Sequence, residues 1–405
     1  MNGRELYSTI YVGETPDRFP VQGMWPWGET LERWHLEGLN PGQNVHEVLG
    51  LIGDDVLPLP LDLTMVPKFP IQVLSQDDRY VTLIDEFGVT KKLFLKDFCL
   101  TEGKMLNAGL TSSMSLWLDF PVKDVSSWKS LYEERFRPIL KDRIPENWDI
   151  CKSEFTRLSE TRWVSYFCFP LLGLFGPLRQ LLGFERLMFS MAGDDPFLID
   201  TMIEDLTDFW LTVFDQMLVD TRLDEVTFFE DMASNQAPLI SPSMFRRFLA
   251  PGYRKVIGCL REMGIKYFFI DSDGNLIRLL PDLLDCGING IVPLEVSAGM
   301  DVARLRVDFP ELILNGGIDK RALTKGQNEI ETDLARYFTI AWQKGKCIPR
   351  LDHGAPPNIS WTNAQFFARR YLDYCKAKPV AVAVKTPWDS FIAERLGSFY
   401  GDESG

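Results

Sequence analysis

The sequence lacks the features that mark membrane and secreted proteins. It contains no uninterrupted apolar run of about 20 residues, the length that a membrane-spanning helix needs. Its richest apolar stretch, 163–175, is broken by Ser165, Pro170 and Gly173. No apolar segment follows the first residues, so no secretory signal is expected. These absences predict a cytoplasmic protein without a membrane partner.

Cysteine pairs and an excess of basic residues are also missing. The seven cysteines are odd in number, scattered and never in C-x-x-C spacing, so neither a disulfide framework nor a zinc ribbon is expected. Asp and Glu number 57 against 43 Lys and Arg, a formal net charge of −14. Nucleic-acid binding through a general basic surface is therefore not expected, because it needs clustered cations.

The common nucleotide and nucleophile motifs are absent as well. The segment 315–318 (Asn-Gly-Gly-Ile) matches neither a P-loop nor a G-x-G-x-x-G turn, which disfavours a nucleotide site. No G-x-S-x-G sequence and no Cys/His dyad occur, so covalent catalysis has no candidate nucleophile.

What is present is a long chain with a globular composition and a repeating second half. The 405 residues are 45% apolar and 12% aromatic. Short β-branched and aromatic runs alternate with longer helical patterns, which is typical of βα units in a parallel sheet. We predict an α/β fold, a closed (β/α)8 TIM barrel. The predicted strands are 163–169, 225–229, 265–270, 288–292, 311–315 and 346–350, and the predicted helices are 195–219, 242–263, 275–285, 300–308, 327–344 and 360–377.

The first half is less regular. Strands at 19–24 and near 56–62 are expected to open the barrel, and 71–75 with 79–84 predicts a β-hairpin elaboration. A further strand is considered near 114–118. The whole chain, 1–405, is interpreted as one domain with an insertion at about 64–100. That insertion is open to interpretation as a lid, a dimer surface or a docking site for a carrier protein.

Functional residues of such a barrel lie where strands end and loops begin. Asp271 and Asp273 are the sharpest signal, because carboxylates two residues apart on an extended segment share one side. They could hold a metal, share a proton or bind a cation. The structural alternative is that Ser272 or Asp273 caps a helix beginning near Asn275. Asp271 is harder to explain in this way, because it ends a strongly apolar strand.

His353 and Glu230 are further candidates at strand ends. His353 follows the predicted last strand and could meet Asp271 and Asp273 at the barrel mouth as a carboxylate and imidazole set, compatible with a metal. A hydrogen-bonded structural histidine is the alternative. Glu230 is the candidate general acid or base, against the alternative of a salt bridge to a neighbouring loop.

Further residues are candidates for substrate contacts. Trp25 and Trp27 follow the first predicted strand and are placed to wall a pocket for a flat, apolar substrate. Trp34 is expected to be a core residue of a nearby helix. Polar side chains also follow other predicted strands, and the substrate-binding candidates among them are Asp62, Asn235, Asn275 and Asn315.

At these residues the chain resembles the uroporphyrinogen decarboxylase superfamily. The resemblance covers about 225–377, with a looser fit over 23–39. The superfamily is a TIM barrel, and it divides into cofactor-free decarboxylases of tetrapyrrole acetates and methyltransferases that use a corrinoid or a coenzyme thiol, often with zinc. The segments that carry the resemblance are 229–231 (FED), 234–242 (SNQAPLISP), 271–275 (DSDGN), 315–319 (NGGID), 352–353 (DH) and 356–357 (PP).

The chain departs from the patterns of both branches, and its departure from the decarboxylase pattern favours the methyltransferase branch. Decarboxylases of the superfamily have an N-terminal R-Q-A-G-R element whose arginines bind substrate carboxylates, whereas this chain has MWPWGE at 24–29. The methyltransferases have His-x-Cys and a later Cys as zinc ligands, and here Asp271, Asp273 and His353 stand at those places. The resemblance therefore implies Zn²⁺ held by harder ligands.

The expected function is metal-assisted transfer of a methyl group from a methoxylated or methylated small molecule to a corrinoid protein. One alternative is decarboxylation of a porphyrinogen or other carboxylated substrate, with Asp62 or Glu230 as the acid. A second is a non-catalytic barrel that binds a ligand or a carrier. The expected partners are a small-molecule substrate and a corrinoid protein, and a homodimer is left open.

Overall fold

The computed structural model describes residues 1–101, 104–106, 114–380 and 385–395. Within these ranges the strands are β1 Val56–Pro58, β2 Gln72–Gln76, β3 Tyr80–Ile84, β4 Thr90–Phe94, β5 Cys99–Thr101, β6 Lys104–Leu106, β7 Leu116–Asp119, β8 Trp163–Phe167, β9 Glu225–Phe229, β10 Tyr267–Asp271, β11 Gly290–Val292, β12 Ile313–Asn315 and β13 Cys347–Ile348.

The α-helices are α1 Gly3–Val12, α2 Gly28–Leu36, α3 Val45–Leu49, α4 Val125–Arg135, α5 Trp148–Ser159, α6 Phe175–Leu182, α7 Phe184–Ala192, α8 Pro196–Leu218, α9 Pro242–Met244, α10 Ala250–Glu262, α11 Leu280–Asp285, α12 Val302–Asp308, α13 Ala322–Lys325, α14 Gln327–Lys344, α15 Trp361–Cys375 and α16 Asp389–Arg395. A π-helical turn, Phe245–Leu249, joins α9 to α10. Short 3-10 turns lie at Leu95–Asp97, Leu140–Asp142 and Val296–Ala298.

Seven strands form one parallel sheet in the order β1-β8-β9-β10-β11-β12-β13. Its central strands are buried on both faces, as the near-continuous apolar runs of a helix-covered parallel sheet require. The predicted α/β class is confirmed. Within the described ranges β1 and β13 are not paired, so the sheet is open and closure of the barrel is not observed.

The prediction of a strand at 19–24 is wrong. The amide of Phe19 donates to the carbonyl of Cys375 at the end of α15, and the amide of Gln22 donates to the Tyr371 hydroxyl. Pro20 has no amide hydrogen to offer to a ladder. Its neighbours therefore bind a helix end and a side chain instead of a strand.

An aromatic cluster fills the amino-terminal end of the sheet. Tyr7 and Tyr11 of α1 pack against Trp163 and Tyr267, which begin β8 and β10. The Tyr11 hydroxyl and the Trp163 indole both donate to Glu225, at 2.6 and 3.0 Å. Because this end is filled, only the carboxyl ends of the strands are left for a site.

The insertion forms its own antiparallel sheet in the order β2-β3-β4-β7. The predicted hairpin is confirmed, because Gln72–Gln76 pairs with Tyr80–Ile84. The sheet also uses Leu116–Asp119, which confirms the strand near 114–118 and extends the insertion beyond residue 100. Val81 and Leu83 of its middle strand pack with Leu93 in a small core.

Two further sequence expectations concern membrane helices and cysteines. No helix in the described part of the chain combines the length and the apolar character needed to cross a membrane. All six cysteines whose side chains are described are free.

Candidate active site at the carboxyl ends of the strands

Asp271 is the last residue of β10 and lies opposite Phe229 of β9 and Val292 of β11 in the strand register. Its backbone carbonyl accepts from the amides of Glu230 and Asp231. Its carboxyl group makes no hydrogen bond within the described ranges, and the side chain retains intermediate exposure. A carboxyl group without a hydrogen bond in the described ranges therefore lies at the end of a buried strand and is partly exposed.

The surroundings of Asp271 favour its neutral form. Burial and the nearby Asp273 carboxylate raise its pKa from 3.8 to about 8, against the opposing effect of Arg350. A carboxyl group that holds its proton at neutral pH can donate it to a reacting atom.

Asp273 is paired with His353. The Nε2 atom of His353 lies 3.3 Å from Oδ2 of Asp273, and this interaction raises the pKa of His353. Neither Asp273 nor Ser272 caps a helix, because α11 begins only at Leu280. The hydroxyl of Ser272 instead accepts from the Met232 amide at 2.9 Å. The structure thus brings Asp271, Asp273 and His353 into one region, as predicted.

These three side chains do not fit a zinc site in this geometry. No group of three His, Cys, Asp or Glu side chains able to hold a metal ion occurs within the described ranges. Zinc binds carboxylate and neutral imidazole, whereas Asp271 favours its protonated form and His353 is occupied by Asp273. Zinc binding stays a prediction from the sequence, and we assign it no step.

Glu230 is fully buried beneath the start of α6. Its carboxylate accepts from the amides of Leu174, Phe175 and Gly176 at 2.5 to 2.9 Å, and from the Tyr253 hydroxyl. Burial raises its pKa to about 7. These contacts satisfy the free amides of a helix N-terminus. They explain Glu230 as an anchor for α6, and its catalytic role stays a prediction.

Trp25 and Trp27 lie beside the His353 segment. The Trp27 amide donates to the Ala355 carbonyl and the Ala355 amide donates to the Trp25 carbonyl, at 3.1 and 2.7 Å. The Trp27 indole packs on Gly354. A Cβ atom added to Gly354 would lie only 2.8 Å from Nε1 of Trp27. Both tryptophans are partly exposed. Their role as walls of a substrate pocket stays a prediction.

The four polar candidates differ in exposure and in hydrogen bonding. Asn235 is exposed, whereas the side chain of Asn275 donates to the Ala298 carbonyl in the turn after β11 and accepts from the Ile277 amide of its own loop. The buried Oδ1 of Asn315 has no hydrogen-bond partner within the described ranges.

Asp62 is fully buried. It accepts from the amide and hydroxyl of Thr64, and its Oδ2 lies 3.6 Å from Arg395 of α16. Among the described residues no hydrogen bond or ion pair joins Asp62 to Asp271, Asp273 or His353, and its role in substrate binding stays a prediction.

Sequence reasoning missed Arg350, which follows β13 by two residues. It was counted as part of the predicted strand 346–350, although it supplies positive charge to Asp271 and Asp273. Its position directly before Leu351, Asp352 and His353 was the signal that could have found it.

Sequence reasoning also missed an aromatic wall beside Asp271. The ring of Phe229 lies 6.4 Å from that of Phe167 and 4.7 Å from that of Phe169, measured between centroids. All three are partly exposed. Alternation along β8 was the available signal, because Phe167 and Phe169 follow Trp163 at even spacing.

Comparison with known proteins extends this description. Residues 180–373 match the family model of uroporphyrinogen decarboxylase (URO-D). A solved structure described as a methyltransferase from Methanosarcina mazei is similar to the chain, with a TM-score of 0.55 and 16% identity. The similarity covers 92% of this chain and 99% of that one, and at this identity it shows the fold alone. No curated protein has significant sequence similarity to the chain.

The match covers the charged residues of the site, whereas the aromatic residues Trp25, Trp27, Phe167 and Phe169 lie before it. It begins within α6 and includes Glu230, the Asp271 to Asn275 turn and His353. The chain therefore carries a URO-D family region over residues 180–373, and the resemblance to the uroporphyrinogen decarboxylase superfamily inferred from its sequence is confirmed.

Proposed function

We propose that the chain is an enzyme that moves a methyl group from a methoxylated or methylated small molecule to a corrinoid carried by a partner protein. The observation that carries the proposal is the carboxyl group of Asp271, which has no hydrogen bond within the described ranges and lies beside an aromatic wall. The URO-D region and the fold similarity to a methyltransferase support the reaction class.

Asp271 would act as the general acid. When a methyl ether is demethylated, the C–O bond breaks, its electron pair stays on oxygen and the methyl group passes to the acceptor. A reduced corrinoid on the partner protein would supply the nucleophile for the methyl group. Protonation by Asp271 lets the oxygen leave as a neutral alcohol or phenol, which lowers the barrier to bond breaking. The aromatic wall would hold the apolar part of the donor and exclude water.

The other charged groups would position Asp271. Asp273 is held by His353, and the Gly274 amide donates to Glu295 at 3.0 Å. Glu295 also pairs with Lys320, whose amide donates to the buried Asp352. These contacts fix the turn after β10. They would keep the proton donor in one place relative to the substrate.

The closed (β/α)8 barrel and the cytoplasmic location belong to the same proposal. Closure is supported by the segment 19–27, which lies between the two edges of the sheet. Trp27 bonds Ala355 beyond β13, and Gly53 before β1 packs on the Val21 carbonyl. The free cysteines support a reducing compartment.

The insertion sheet is the surface that we propose for a protein contact, with the corrinoid protein or with a second copy of the chain. Apolar side chains on its two outer strands are 42 to 61% exposed. Exposed apolar patches are typical of surfaces that bind another protein. They are Val73, Leu74, Leu116 and Leu118.

The test is demethylation with reduced cobalamin as the acceptor, followed as release of the demethylated product. Wild-type protein is expected to turn over at least one methoxylated donor, and Asp271→Asn to lose about 100-fold in kcat, within the range of a lost general acid. Asp215→Asn, which changes an exposed aspartate of α8, is the matched control. Release of CO₂ from uroporphyrinogen without methyl transfer would favour the decarboxylase alternative.

Elemental analysis of protein purified without chelators tests the zinc prediction separately. Stoichiometric zinc that is lost from an Asp271→Ala/His353→Ala variant would mean that the Asp273 and His353 pair opens to bind metal. In that case a metal-assisted mechanism would replace general acid catalysis.

A further inference from the structure

Arg350 differs from the other interior arginines in its lack of partners. The guanidinium of Arg143 donates to four backbone carbonyl oxygens, and that of Arg306 donates to three. Within the described ranges, the guanidinium of Arg350 makes no hydrogen bond and no ion pair within 4.0 Å. Five N–H donors are therefore left without a protein acceptor.

Arg350 lies at the candidate active site. Its carbonyl accepts from the Ile318 amide at 3.1 Å, which fixes the backbone beside β12. The charges that act on its guanidinium are those of Asp271 and Asp273, with the hydroxyls of Tyr7 and Tyr371. Arg350 has intermediate exposure and is not sealed from solvent.

The other cations that follow the strand ends have acidic partners, whereas the guanidinium of Arg350 has none within 4.0 Å among the described residues. His353 pairs with Asp273, Lys320 with Glu295, and Arg179 with Asp231. An interior cation without a close counter-ion is costly to the folded protein. A ligand that brings a negative charge would remove that cost on binding.

We propose that Arg350 binds a carboxylate of the substrate, so that the methyl donor is an organic acid. That the bound acid is a methyl donor rests on the proposed function. The planar guanidinium offers two parallel N–H groups to the two oxygens of one carboxylate. With the carboxylate held there, the aromatic rings of Phe167 and Phe229 lie on the same side of the sheet to receive the rest of the molecule.

A carboxylate fits this position better than a phosphate. One free guanidinium can neutralise one negative charge, whereas a phosphate at neutral pH carries up to two. Asp271 and Asp273 lie close enough to act on the same guanidinium, and Asp273 would repel a second negative charge. The nearby cations that could share a phosphate, Lys320 and Arg179, are engaged elsewhere.

The experiment compares the binding of carboxylates with that of their neutral amides by titration calorimetry. The probes are benzoate, para-methoxybenzoate and para-methoxyphenylacetate, each with its amide. Wild-type protein is expected to bind at least one acid about tenfold or more tightly than its amide, because a charge-assisted bidentate contact is lost in the amide. Arg350→Gln is expected to bind both members of that pair equally and the amide as the wild type does.

Two further variants sharpen the comparison. Arg350→Lys keeps the charge without the planar fork and is expected to recover only part of the preference. Arg247→Gln removes an equal charge from the outer surface, where Arg247 pairs with Asp200, and is expected to keep the full preference. Equal affinity of the wild type for acid and amide in every pair, or no binding of any probe, would overturn the proposal.

A stability readout separates a ligand-binding role from a structural one. Arg350→Met removes the charge at similar length and is expected to leave the thermal midpoint of the ligand-free protein unchanged or raised. A loss of several degrees would mean that Arg350 stabilises the fold, and the proposal would fail.

The inference and the proposed function can fail independently. Selective binding of the acids without demethylation of any donor would uphold the role of Arg350 and reject methyl transfer. Demethylation of acid and amide donors with equal kcat/KM would uphold methyl transfer and reject the role of Arg350.

Discussion

Asp271 is the residue on which the account depends, and its environment gives it a testable pH dependence. The general acid must hold its proton, and the pKa of Asp271 is raised by burial to about 8. We expect kcat/KM to be constant at neutral pH and to fall about tenfold per pH unit above about pH 8. Steady-state rates across this range measure it. A profile that falls already between pH 5 and 7 would contradict the assignment.

The same shift makes Asp271 a destabilising residue. Its ordinary pKa is 3.8 and its folded value is about 8. Below the first value both states are protonated, and between the two values only the unfolded chain releases its proton. Stability is therefore lost as pH rises through this window, at about 1.4 kcal/mol per unit at most.

Asp271→Asn removes this titration. We expect the variant to gain free energy of unfolding relative to the wild type as pH rises from about 4 to about 8, and to gain nothing further above that. Urea unfolding at a series of pH values measures the difference. Asp215→Asn on the surface is the control, and equal pH profiles of wild type and Asp271→Asn would refute the raised pKa.

Residue by residue, the sequence located the polar groups of the site and missed their pairing. The positions of Asp271, Asp273 and His353 after strands are readable from alternation alone. Two features depend on side-chain directions at the ends of different strands. Asp273 pairs with His353, and Arg350 has no partner within the described ranges. No spacing along one strand encodes those directions.

At the scale of elements, the start of α6 is held by one buried carboxylate. We expect Glu230→Gln to lower the free energy of unfolding by about 3 kcal/mol, because several charge-assisted hydrogen bonds are weakened. Tyr253→Phe removes one of those bonds and is expected to cost about 1 to 2 kcal/mol. Chemical denaturation measures both. Unchanged stability with abolished turnover in Glu230→Gln would instead support the predicted catalytic role.

The turn after β10 depends on a glycine that no other residue can replace. Gly274 has a φ of 81°, and a Cβ atom there would lie 2.5 Å from the Ser234 carbonyl oxygen. We expect Gly274→Ala to cost about 2 to 4 kcal/mol in stability. Gly258→Ala in α10, where a Cβ atom meets nothing within 4 Å, is expected to stabilise by about 0.5 to 1 kcal/mol. Denaturation midpoints of the two variants that do not differ would contradict this view of the turn.

Element prediction succeeded where the hydrophobic period was clear. Strand β9 and helix α14 match the predicted ranges 225–229 and 327–344. The segment 19–24 failed because its apolar residues are buried against a helix end rather than paired in a ladder. The helix predicted from 275 begins five residues later, since Asn275 bonds within its own loop.

At the scale of the molecule, one end of the sheet is filled and the other carries the reactive groups. The aromatic plug from α1 was not predicted, because nothing in the amphipathic pattern of α1 says which end of a sheet it covers. The missing N-terminal arginines argued against a substrate with many carboxylates. The guanidinium of Arg350, which has no acceptor within the described ranges, is consistent with a substrate that has one carboxylate.

The most direct test of methyl transfer at this site uses donors whose methoxy carbon is ¹³C-labelled, with reduced cobalamin as the acceptor. Loss of the methoxy signal is followed by NMR for wild type, Asp271→Asn and Arg350→Gln. We expect the label to leave a carboxylate-bearing donor in the wild type, about 100-fold more slowly in Asp271→Asn, and with a raised KM in Arg350→Gln. Label that stays on every donor, or that leaves equally fast in Asp271→Asn, would contradict the account.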